Sequence, residues 1–97
     1  MKKLDDIKKS LIKEKNVLYK IYGLKIIGIF GSYIRGEENK DSDIDILVEI
    51  EEPISLLKFI EIENYLSKKL GIKVDLVIKD TLKRRIGKHI LNELIKI

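Results

Sequence analysis

An α/β fold of the α+β kind, one small mixed β-sheet packed by helices, is predicted by three observations. Three short β-branched apolar runs alternate with longer stretches of helical periodicity, and glycines stand at the breaks between them. The third observation is length: 97 residues suffice for one core, so residues 1–97 are expected to form a single domain without room for a separate substrate module.

The elements follow in order. Leu4, Ile7, Leu11, Leu18 and Ile21 lie on one stripe of a helix over residues 3–22, with Gly23 as its stop. Lys25-Ile26-Ile27-Gly28-Ile29-Phe30 reads as a buried strand bounded by Gly23 and Gly31. A turn region over residues 31–42 holds Gly31-Ser32, Gly36 and a polar run, with a short helical turn at 33–35 capped by Ser32. Residues 44–50 form a second strand, 54–70 a helix ended by Gly71, and 73–78 a third strand. Asp80 or Thr81 then caps a last helix carrying Leu82, Ile86, Ile90, Leu94 and Ile97, with Gly87 a weak point inside it.

Composition excludes several chemistries. The chain has no cysteine, which removes disulfides, thiolate catalysis and Cys-zinc sites, and its one histidine, His89, cannot build a His-rich site. Any metal must be held by oxygen. No apolar run approaches the ~20 residues of a membrane span, and the N-terminus lacks a signal peptide, so a cytoplasmic protein is expected. A net charge of +4 in a chain that is 37% charged describes a solvated surface. The stretch Lys83-Arg84-Arg85-Ile86-Gly87-Lys88 has no interleaved aromatics, so a solvated or protein-docking face is favoured over direct nucleic-acid binding.

Chemistry is concentrated in the two later strands. Neighbouring residues of a strand point to opposite faces, so Asp43, Asp45, Leu47 and Glu49 share one side while Ile44, Ile46, Val48 and Ile50 share the other. The α-carbons of Asp43 and Asp45 should stand about 6.5 to 7 Å apart, close enough to serve the same hard cations. In the third strand Val74, Leu76 and Ile78 form the apolar face and Lys73, Asp75 and Val77 the other. If the strands are neighbours, burying both apolar faces brings Asp75 to the side of Asp43 and Asp45. Three crowded carboxylates repel one another unless a cation neutralises them, and magnesium, as two ions about 3.5 to 4 Å apart, is the economical expectation. Gly31 permits close approach to a phosphate, and Ser32 adds a hydroxyl and an N–H at a helix start. Arg35 is divided between a phosphate contact and an ion pair with Glu37, Glu38 or Asp41.

Rival readings fail on particular residues. Gly31 and Gly36 have P-loop spacing, but Glu37 and Glu38 stand where that motif needs Lys and Ser or Thr. Asp41, Asp43, Asp45 and Glu52 mimic EF-hand ligands, yet Ile46 takes the place of the turn glycine. Alone, Asp43 and Asp45 would read as a solvated strand edge. Joined to Gly31-Ser32 and the in-phase Asp75, they read as a site. His89 reads as a surface residue.

Gly31-Ser32-Tyr33-Ile34-Arg35-Gly36, then Ser42-Asp43-Ile44-Asp45-Ile46-Leu47-Val48 and Val74-Asp75-Leu76-Val77, resemble the signature of the DNA polymerase β-like nucleotidyltransferase superfamily. Over nearly its whole length the chain resembles the minimal nucleotidyltransferase (MNT) antitoxins encoded beside HEPN-domain ribonuclease toxins. The resemblance implies the nucleotidyltransferase fold, with Asp43, Asp45 and Asp75 as catalytic residues and Mg2+ ligands. It implies nucleotide binding at Gly31 and Ser32, and adds Arg35 as a candidate. It further implies ATP as the donor of AMP to a tyrosine of a cognate HEPN toxin, with a hetero-oligomer as one form of the pair. Ile34 departs from the Ala that many relatives carry before the Arg. The alternative is a non-catalytic antitoxin that masks its partner stoichiometrically.

Overall fold

A computed structural model describes residues 3–37, 43–82 and 84–97, with Arg84, Arg85 and Ile86 described by backbone alone. The polar run at residues 38–42, including Ser42, and Lys83 lie outside the described residues, so the readings of Glu38, Asp41 and Lys83 do too.

The first helix, α1 (Leu4–Tyr22), buries Ile7, Leu11 and Leu18 and stops at Gly23, whose φ of 67° is left-handed. Its predicted stripe is corrected at one end: Ile21 is 64% exposed, while Tyr22 packs against the core. A period of 3.6 residues lets either position follow Leu18 on the buried stripe. Strand β1 (Leu24–Phe30) follows, then the short helix α2 (Ser32–Arg35) and strand β2 (Ile44–Ile50). Helix α3 (Leu56–Leu70) begins two residues later than predicted because Ser55 caps it, its hydroxyl accepting from the Lys58 N–H at 3.1 Å. It ends as expected at Gly71, and β3 (Val74–Ile78) follows.

The last segment differs most from expectation. A 3-10 turn occupies Lys79–Thr81, and the Thr81 hydroxyl donates to the Ile78 carbonyl at 2.7 Å instead of capping a helix. Helix α4 (Arg84–Glu93) continues through Gly87 but stops before Leu94, and a fourth strand, β4 (Ile95–Lys96), follows. Leu94 and Ile97 are three residues apart and mimic a helical stripe, but the backbone there is claimed by β1. Gly28 pairs with Lys96 and Ile29 with Ile95, and the Ile97 N–H donates to the Ile27 carbonyl at 3.0 Å. Gly28 is required for this approach: a Cβ there would collide with the Ile95 carbonyl oxygen.

The sheet order is β3-β2-β1-β4. β1 is antiparallel to β2 and β4, whereas β2 and β3 are parallel and joined through α3, so the sheet is mixed as predicted. The alternation of β2 sends Ile44, Ile46 and Val48 into the main core with α1 and α3. Leu47, on the opposite face, joins Phe30 and Ile90 in a smaller core that also holds Val77, Leu82 and Leu94. Both faces of the sheet are therefore covered near its middle, and the aspartates of β2 and β3 stand beyond the second core, where the strands begin.

Candidate active site

The parallel register of β2 and β3 pairs Ile44 with Val74 and Asp45 with Asp75. Ile44, Val74 and Leu76 must face the main core, so the pleat turns both aspartates to the opposite side. The conditional expectation for Asp75 is thereby met at the level of strand register. Asp45 is half-buried and Asp75 exposed, while Asp43 stands just before β2 and lies 3.8 Å from the exposed ammonium of Lys73.

Asp45 is the electrostatic centre of the group. Burial, reinforced by the charges of Asp75 and Asp43, pushes its carboxyl from the ordinary 3.8 up to about 6; Arg35 acts in the opposite direction and Glu93 adds to the rise. Asp45 therefore feels the charge of both other aspartates. Among the described residues no three acidic, His or Cys side chains already form a metal cage. The carboxylates nevertheless suit a hard divalent cation, because they are oxygen donors whose mutual repulsion such an ion relieves.

On the other side of Asp45 lies the Gly31 turn. Phe30 pairs with Asp45 across β1 and β2, and the next residue turns sharply, with φ 91° and ψ −156°. That backbone conformation needs glycine, and so does the space: a Cβ on Gly31 would strike the Asp45 carboxylate. Gly31 is thus the N-cap of α2, and Ser32 is its first helical residue. This corrects the expectation that Ser32 caps the turn. The Gly31 carbonyl accepts from the Ile34 and Arg35 N–H groups, which closes the turn.

Arg35 donates from Nε to Glu37 at 2.8 Å and from its terminal nitrogen to Glu93 at 3.2 Å. The ion pair with Glu37 is one that the sequence offered. Glu93 is a residue that sequence reasoning missed. Its Oε1 also accepts the Gly31 N–H at 3.1 Å, and its side chain is only 15% exposed. No local signal marks it, because the sequence reads Glu93 as one more residue inside the last helix, and only the tertiary fold brings it 62 residues back to Gly31. His89 is exposed on α4, as expected of a surface residue.

No helix among the described residues is long and apolar enough to cross a membrane. A family model described as a nucleotidyltransferase domain matches residues 5–97. The chain is 51% identical over 92 residues to the protein adenylyltransferase MntA of Thermococcus cleftensis, covering 95% of this chain and 93% of that one. It also resembles a solved toxin-antitoxin complex with AMP-PNP, at TM-score 0.68 and 26% identity, covering 95% of this chain and 69% of that one. A further likeness, at TM-score 0.67 and 23% identity over 98% of this chain and 71% of the other, is to a tri-AMPylated HEPN toxin of Shewanella oneidensis in complex with an MNT antitoxin; at that identity it supports the fold alone. By the extent of these matches, the chain belongs to the nucleotidyltransferase domain family.

Proposed function

We propose that this chain is a protein adenylyltransferase that transfers AMP from ATP to a tyrosine hydroxyl of a cognate HEPN ribonuclease toxin and thereby silences it. The observation that carries the reading is the surroundings of Asp45. It stands opposite Asp75 on one side, takes the glycine turn against its carboxylate on the other, and has its carboxyl pKa raised to about 6 by burial and its acidic neighbours. A site of this kind suits a polyanionic nucleotide brought in with cations. The name of the Thermococcus cleftensis relative and the AMP-PNP complex support ATP as the nucleotide.

In this reading Asp43, Asp45 and Asp75 are the Mg2+ ligands, for two ions. Bound there, Mg2+ would neutralise phosphate charge and polarise the phosphorus under attack. The chain's own groups divide the remaining work. Gly31 and Ser32 bind the triphosphate, with Arg35 alongside, and hold the α-phosphorus in line with the incoming hydroxyl. The hydroxyl oxygen forms the new bond to that phosphorus, the bond to the β-phosphate oxygen breaks, and diphosphate leaves. In this reading Asp75, exposed at the start of β3, takes the hydroxyl proton. In the same reading residues 1–97 act as one domain, in the cytoplasm, in a hetero-oligomer with the target. Direct binding of nucleic acid is not part of the reading.

The test is to incubate the chain with its partner, ATP and Mg2+ and weigh the partner intact. Addition of AMP to the wild-type reaction, lost with Asp43→Asn plus Asp45→Asn, is expected. If the double variant protects as well as wild type and no adduct forms, stoichiometric masking replaces catalysis.

A further inference from the structure

We infer that Glu93 is a positioning residue of the nucleotide site, a clamp from the end of α4 that sets the Gly31 turn and the aim of Arg35. The inference rests on the reading of Gly31 and Arg35 as phosphate-binding groups.

Three observations carry it. One carboxylate serves both groups at once: Oε1 of Glu93 accepts from the Gly31 N–H at 3.1 Å and from Arg35 at 3.2 Å, and Oε2 receives the same Arg35 nitrogen at 3.3 Å. The position is also unfavourable for a carboxylate on other grounds. Glu93 is the last residue of α4, where the helix dipole disfavours negative charge, and it adds its charge to those already raising Asp45. Its two partners offset those costs, and no others are needed to explain its orientation. Finally, the backbone that carries it is fixed from the far side. Two residues after Glu93, Ile95 pairs with Ile29, packed so closely that Gly28 has no room for a Cβ. The Ile97 N–H donates to Ile27 at 3.0 Å and Lys15 donates to the Ile97 carbonyl at 2.7 Å. The C-terminal segment thus grips β1 just before the turn that Glu93 holds.

A positioning role differs from simple occupation of an anion site. If Glu93 merely filled the place of a phosphate, its removal would free the donors and nucleotide would bind more tightly. If it positions them, removal loosens the turn and binding weakens.

Calorimetry with α,β-methylene-ATP and Mg2+, without partner, separates the two. Glu93→Ala is expected to bind about tenfold more weakly than wild type, whereas Glu93→Gln, whose amide oxygen still accepts from Gly31, stays within about threefold. A purely structural role would shift the urea midpoint without this order in affinity. If Glu93→Ala fails to fold, Glu93→Asp decides: its carboxylate is withdrawn by one methylene, and weaker binding than Glu93→Gln upholds the clamp. Binding of Glu93→Ala, or of the folded Asp variant, equal to or tighter than wild type overturns it. Failure of the wild type itself to bind the nucleotide would instead overturn the phosphate reading of the turn, and the role of Glu93 with it.

Discussion

Asp45 shows how one side chain can define a site. Its β-strand partner is another aspartate, its cross-turn neighbour is a glycine with no space for a methyl group, and its carboxyl is raised to about 6. The sign of the resulting pH dependence is set by that rise. Because the folded carboxyl holds its proton more tightly than the unfolded one, its contribution to stability is complete below about pH 4 and is lost as pH rises through about 6. The difference in urea midpoint between wild type and Asp45→Asn, measured without metal, should therefore move against the wild type from pH 4 to 6 and level off above. Metal affinity should run the other way, since the cation competes with that proton: Mg2+-dependent nucleotide binding is expected to fall steeply as pH drops below about 6. Gly31→Ala combines a φ of 91° with a collision against Asp45. A loss of about 1–3 kcal/mol in stability, read by urea unfolding, and of nucleotide binding is expected.

At the scale of elements, the strands β1, β2 and β3 and the two long helices α1 and α3 were legible because their patterns are unambiguous. Ile44, Ile46 and Val48 alternate with Asp43, Asp45 and Leu47, and Gly23 and Gly71 mark helix ends with left-handed backbones. The shared side of the aspartates was legible too, but only conditionally: alternation fixes the face, whereas the pairing of Asp45 with Asp75 depends on a parallel register that no local pattern encodes. β4 was illegible because two residues show no alternation, and Leu94 and Ile97 carry helical spacing. Glu93 was illegible because its partners are distant in sequence. The strand that the sequence conceals is expected to matter. Gly28→Ala would push the Ile95 carbonyl off β1, lower the thermal midpoint, and weaken nucleotide binding through Glu93. Ser55→Ala, which removes the cap of α3 far from the site, should cost about 1 kcal/mol and leave binding unchanged.

For the whole molecule, two cores on opposite faces of one sheet leave the starts of β2 and β3 beside the Gly31 turn. The larger core, with α1 and α3, fixes the strands; the smaller, with Phe30, Leu47 and Ile90, seats α4 so that its last residue reaches the turn. The likeness to the Thermococcus cleftensis relative covers 95% of this chain, so it takes in both cores and the candidate site. In the proposed reaction, protection of the partner is covalent. The most direct measurement is the intact mass of the partner toxin after incubation with ATP and Mg2+. The account predicts a gain of one or more AMP groups with wild type and none with Asp43→Asn plus Asp45→Asn, although the complex still forms. A partner that is silenced with its mass unchanged would contradict it.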